Sequence, residues 1–262
     1  LIALPLGLGL AIASDAPPIA GIISAVVGGI VVAFFGGSFV SISGPGNGLT
    51  VVTLNAVVLL GMGDNNQGFY YTLAAIIVSG AMLFLLGVFR FGSLSDFFPS
   101  SAVEGMLAAI GIIIMSKQIH TMLGVTETDG TSTLGLLIEV PETIFEVYSS
   151  GNFVIPIIGL TSLAILGFYS KIRGKLFHLI PAPMWVVVLG IGLSYYLEFS
   201  GNSDLIPAPF LISIPDDLFG SYMPPNFSKM MTGAFWNAVL SLTLIASIES
   251  LLSIKGAERL DL

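Results

Sequence analysis

Apolar runs of about 15–20 residues recur along this chain, each near the length at which an α-helix crosses a hydrocarbon core about 30 Å thick. Read by hydropathy, they fall near 1–14, 18–36, 48–62, 70–89, 101–117, 153–170, 183–199 and 231–254. No single soluble core hides that many. With 55% hydrophobic and 9% charged residues and a mean hydropathy of +0.97, an ordinary globular domain is excluded and an all-α polytopic membrane protein is expected. Thirty-one glycines and 14 prolines point to broken helices, which membranes tolerate where neighbouring helices or cavities satisfy the freed backbone groups. The absence of cysteine removes disulfides, thiolate-bound zinc and a cysteine nucleophile, and the net charge of -8 argues against nucleic acid as a partner.

The chain opens at Leu1 inside an apolar run, without a charged n-region, and closes on Lys255–Leu262 just past an apolar helix. It is expected to be a fragment of a longer transporter-like chain. Eight crossings result, the first cut short and the third too short to cross alone. Before that third span, Val40-Ser41-Ile42-Ser43 alternates apolar and hydroxyl residues as a short strand would, and Gly46-Asn47-Gly48 then opens the helix Leu49–Leu60.

Placing the start of the first span inside collects Arg90, Lys171, Arg173, Lys175, Lys255 and Arg259 in the inside loops, six of the eight basic residues. The connection 121–152, with Glu127, Asp129, Glu139, Glu142 and Glu146, then lies outside, as does the one carrying Asp204, Asp216 and Asp217. The Lys171–Lys175 cluster reads as a topology determinant rather than a lipid-headgroup site.

Two places carry chemistry. In Ser43-Gly44-Pro45-Gly46-Asn47-Gly48-Leu49-Thr50, a glycine–proline interruption stands at the mouth of a half-length helix. A helix N-terminus offers unpaired N–H groups and about half a positive charge, and glycines let an anion approach the backbone. The stretch therefore reads as an anion seat or as a plain turn, and its position in a hydrophobic segment favours the seat. The other place is Glu249, inside the last apolar span. An acid at mid-membrane costs about 2.5–3.5 kcal/mol on insertion scales, so it is expected to face a cavity or partner. Ser253 lies one turn on, and the pair offers a carboxylate and a hydroxyl to a cation, or Glu249 a site for a proton.

Glu104 is expected to complement a helix dipole, and Asn55 either points into a cavity or cross-links helices. His120 and His178, beside Lys117 and Lys175, are read as snorkelling interfacial residues, and neither makes a metal site. No HExxH, GxSxG or Walker A signature supports an enzyme, and no resident cofactor is expected.

Three segments together resemble one family. Ala3-Leu4-Pro5, Pro17-Pro18 with Gly21, and Phe35-Gly36-Gly37-Ser38 are similar to the first conserved block of the SulP family, the sulfate permeases. Ser43-Gly44-Pro45-Gly46-Asn47-Gly48 resembles that family's glycine–proline motif before its third helix, and Ile248-Glu249-Ser250-Leu251-Leu252-Ser253 its eighth-helix motif. The order and spacing of the three match along essentially the whole chain. The resemblance implies two inverted seven-helix repeats, of which 1–262 would hold the first plus the eighth helix. Helices 1–4 and 8 would form a core part that moves against a gate part of helices 5–7. The tenth helix and the cytoplasmic STAS domain are not within this sequence. It implies substrate binding at Gly46, Asn47, Gly48 and Leu49, coupling of H+ or Na+ at Glu249 and Ser253, and homodimers in the full-length protein. Leu6 stands where the family often has Gln, Asn47 where a small or hydroxyl residue is usual, and Glu249 where Asp with Thr would suit sodium; a proton is favoured. The function implied is secondary active transport of an inorganic anion, sulfate first and bicarbonate second, across a bacterial inner membrane. A nucleobase-type permease of the same fold and a passive anion channel stand as alternatives.

Overall fold

The computed structural model describes residues 3–35, 44, 46–91, 100–125, 132–171, 180–199, 206–207, 210–211 and 224–260. Its regular elements are helices: α1 (Ala3–Ala13), α2 (Pro18–Val26), a π-helical turn (Val27–Val32), α3 (Ala33–Phe35), α4 (Asn47–Gly61), α5 (Asn65–Val88), α6 (Ser100–Leu123), α7 (Thr133–Ser150), α8 (Val154–Phe168) with a 3-10 turn to Lys171, α9 (Ala182–Phe199) and α10 (Gly233–Leu260). All eight apolar spans expected from hydropathy fall on helices. The turn Val27–Val32 joins α2 to α3, so that Pro18–Phe35 runs on as one helix with Pro18 at its first turn, where a missing N–H costs nothing.

Pro18–Phe35, Asn65–Val88 and Gly233–Leu251 are long and apolar enough to cross a membrane unaided, and five further apolar helices are shorter. The short strand expected at Val40–Ser43 lies outside the described residues, as does His178, and no strand occurs among the described residues. The acidic connection expected at 121–152 contains an unforeseen helix, α7. Ser132 caps it by accepting from the Gly135 N–H at 3.1 Å, and Gly151, with φ +69°, ends it in the left-handed conformation.

The chain divides into two compact units, one of residues 7–110 with 214–262, the other of residues 1–6 with 111–213. In the first, α4, α5 and α10 pack around Val52, Ala56, Leu60, Ala74, Ala75, Phe235, Ala238, Val239 and Leu242. Between membrane helices no hydrophobic drive favours contact over lipid, so association rests on close approach of small residues and on dispersion. The glycines show how close it is. A Cβ added at Gly68 would stand 2.1 Å from the Val57 carbonyl oxygen, and one at Gly21 would stand 2.0 Å from that of Gly7. The Thr243 hydroxyl shares a hydrogen bond with Ser79 Oγ at 3.0 Å, tying α10 to α5.

The other unit is organised around polar contacts. His120, expected at an interface, is 1% exposed. Its Nε2 lies 2.9 Å from the Leu136 carbonyl and its Nδ1 2.6 Å from Thr143 Oγ1. A carbonyl only accepts, so Nε2 carries the proton and Nδ1 meets the hydroxyl. His120 thereby pins α6 to α7, and its burial follows from having both ring nitrogens satisfied within the protein rather than by water.

Candidate functional site

The stripe Phe235, Ala238, Leu242 and Ile245 turns the inner face of α10 toward α4 and α5. Glu249 comes four residues after Ile245, so the same face presents it one turn further along. At that level α4 begins. Gly46, the residue before the helix, is extended (φ −95°, ψ 134°) and has no side chain with which to cap the first turn. The cap comes instead from 201 residues away, where Glu249 Oε1 accepts the Gly48 N–H at 3.0 Å.

The two glycines make room for it. A Cβ at Gly48 would stand 2.7 Å from Oε2 and 2.8 Å from the carboxylate carbon of Glu249, and one at Gly46 would stand 3.0 Å from Oε1. Any larger residue at position 48 would fill the space that the carboxylate occupies. A half-buried carboxylate thus sits on the positive end of α4 and satisfies an N–H that the helix itself cannot. The arrangement is an anion site holding an anion that belongs to the protein.

Of the residues that the sequence pointed to, Gly46, Gly48 and Glu249 are brought together here. Leu49 is partly buried and packs against the α4–α5–α10 core. Asn47 is the first residue of α4 and Ser253 lies one turn beyond Glu249 in α10; the side chains of both fall outside the described ones. Glu104 lies in the second turn of α6 and is exposed. Sequence reasoning passed over Thr50. It is 4% exposed in the first turn of α4, and its Oγ1 has no hydrogen-bond partner among the described residues. Among those residues no group of three His, Cys, Asp or Glu side chains is placed to hold a metal ion.

A family-wide sequence profile described as the sulfate permease family matches residues 1–261. The chain is 28% identical over 192 residues to a protein of Bacillus subtilis named putative sulfate transporter YvdB, covering 72% of this chain and 34% of that one. It is 28% identical over 268 residues to the bicarbonate transporter BicA of Picosynechococcus sp., covering 99% of this chain and 44% of that one. Among solved structures, the transmembrane domain of a cyanobacterial bicarbonate transporter BicA superposes with a TM-score of 0.73 at 24% identity, over 99% of this chain and 63% of that one. The fold is shared. The chain spans less than half the length of these two curated relatives.

Proposed function

Because the chain belongs to the sulfate permease family and is an integral membrane protein, we propose that the full-length protein carries an inorganic anion across the bilayer by secondary active transport, sulfate first and bicarbonate second. The observation that carries this reading is the Gly48 N–H donated to Glu249 Oε1 at 3.0 Å. A substrate oxyanion presents the same chemistry as that carboxylate, an oxygen bearing negative charge, and would use the same N–H on the same helix end. The glycines at 46 and 48 leave the approach open to either. Names of relatives support both substrates, one being called a sulfate and one a bicarbonate transporter.

Coupling follows from the competition. While Glu249 is ionised it holds the seat and repels a second anion; neutralised by a proton, or drawn off by a sodium ion with help from the Ser253 hydroxyl, it frees the N–H for substrate. The proton is the simpler agent, since it needs no further ligand. Alternating access would then move a core part built on helices 1–4 and 8 against a gate part of helices 5–7, in a homodimer of a bacterial inner membrane. No bond to the substrate is made or broken.

The test is uptake of labelled sulfate into proteoliposomes of the full-length protein under an inward proton gradient, for the unmodified protein and Glu249→Gln, with bicarbonate as competitor. Accumulation above the external concentration, lost in Glu249→Gln, is expected. No uptake of either anion under proton or sodium gradients would overturn the reading.

A further inference from the structure

A second set of polar side chains lies on the same pair of helices, and nothing in the seat uses it. Between α4 and α10 runs a groove of about 270 Å³ lined by Asn55, Asn237 and Ser241 on an apolar floor that includes Val52, Ala56 and Ile245. Asn55 and Asn237 are exposed, and none of the three polar side chains has a hydrogen-bond partner among the described residues. Unsatisfied amides on membrane helices are costly unless water or a partner meets them, so their alignment on one groove calls for an occupant.

Their spacing says which occupant. At a rise of about 1.5 Å per residue, Asn55 stands roughly 10 Å along α4 from Gly48, while Ser241 and Asn237 stand roughly 12 Å and 18 Å along α10 from Glu249. The polar groups therefore step away from the seat toward one end of the helix pair, by the charge bias the outer end. No carboxylate lines the groove, and amides and a hydroxyl all donate hydrogen bonds. At that same end Lys229 places its ammonium 3.6 Å from Met62 Sδ, at the close of α4, and 5.7 Å from the centre of the Tyr71 ring. It is one of two basic residues, with Lys117, that the topology leaves outside.

We infer that this groove is the outer entry path of the anion: a hydrated oxyanion is drawn in by Lys229 and handed along Asn237, Ser241 and Asn55 to the Gly48 N–H. The inference rests on the seat being a transport site, and the experiment separates the two. Cysteines are introduced singly at Asn55, Asn237 and Ser241 of the full-length protein, and at Ile77, an exposed apolar position of α5, as a lipid-facing control. Each is treated from outside with a membrane-impermeant cationic methanethiosulfonate, alone and with saturating sulfate or bicarbonate; the unsubstituted protein reports background.

Because thiolates form only where water reaches, the three groove positions are expected to react at least roughly tenfold faster than the control, and the transported anion to slow them. Failure of all three to react would show another helix covering the groove and overturn the path. So would reaction that neither anion slows while the unmodified protein transports. Absence of transport with the groove still labelled and protected by an anion would sink the transport reading and leave an anion-binding groove. As an independent measure, Lys229→Glu is expected to lower the rate of uptake roughly tenfold at low ionic strength, with the deficit shrinking as salt screens the charge. A deficit indifferent to salt would remove Lys229 from the path.

Discussion

The two units of this chain are built by different means. Of the buried hydrophobic side chains, all but Val147 belong to the unit of residues 7–110 and 214–262, where alanines and glycines bring α4, α5 and α10 together. In the unit of residues 111–213, the most deeply buried side chains are polar, Ser116, His120 and Thr143, while Leu134, Ile138, Phe145 and Tyr148 of α7 are each more than 70% exposed. One unit is fixed by shape and the other by a few hydrogen bonds. Shape complementarity gives a stiff body that can hold an N–H and a carboxylate at a set distance, whereas a few directional bonds leave large apolar surfaces to be covered by lipid or by the rest of the protein.

The sharpest way to break this contrast is Gly68→Leu. Its Cβ would meet the Val57 carbonyl oxygen at 2.1 Å and the Gly61 Cα at 2.9 Å, both backbone atoms that cannot yield, so folded protein is expected to be lost on detergent size-exclusion chromatography. Recovery at normal yield would show that α4 and α5 are not held by close approach. Gly48→Ala tests the same unit at its functional edge. The added methyl competes with the Glu249 carboxylate, and anion uptake is expected to fall more than roughly tenfold with the melting temperature nearly unchanged, because only the cap is displaced. Parallel loss of stability and uptake would mean that the seat is merely part of the packing.

In the polar unit, His120→Ala leaves the Thr143 hydroxyl without its ring partner and opens a cavity, at an expected cost of about 2–3 kcal/mol, read as a lower unfolding midpoint. The smallest effect is expected for Thr243→Val. It removes one interhelical hydroxyl contact from a unit already locked by shape, and such bonds between membrane helices average about 0.6 kcal/mol. If Thr243→Val proved the costlier of the two, the contrast between the units would fail.

Much of the fold was legible because a membrane span writes itself into composition, and the eight apolar runs all became helices. α7 escaped for the same reason. Its apolar residues Leu134, Ile138, Phe145 and Tyr148 recur at helical spacing between acids, so averaged hydropathy shows only an acidic connection, and Pro141 argued further against a helix. Ser132 before it and Gly151 after it were the available signals. Glycines 46 and 48 and Glu249 could each be picked out by oddity of place, but their meeting is a matter of helix register across 201 residues, which no local pattern records. His120 was misjudged because its neighbour Lys117 suggested an interface, while the Thr143 and Leu136 partners that bury it belong to the unforeseen helix.

The π-helical turn at Val27–Val32 carries a consequence for the chain's history and for alignment. Such a turn holds one more residue than the α-helical turn it replaces, and each residue in a helix advances the facing direction by roughly 100°. Gly28 and Gly29 lie within it. Removing either would let the α-helix close up and would rotate Ala33–Phe35 by about that angle relative to Pro18–Val26. A one-residue gap at this point in a comparison of relatives therefore marks a re-aimed helix end rather than a trimmed loop.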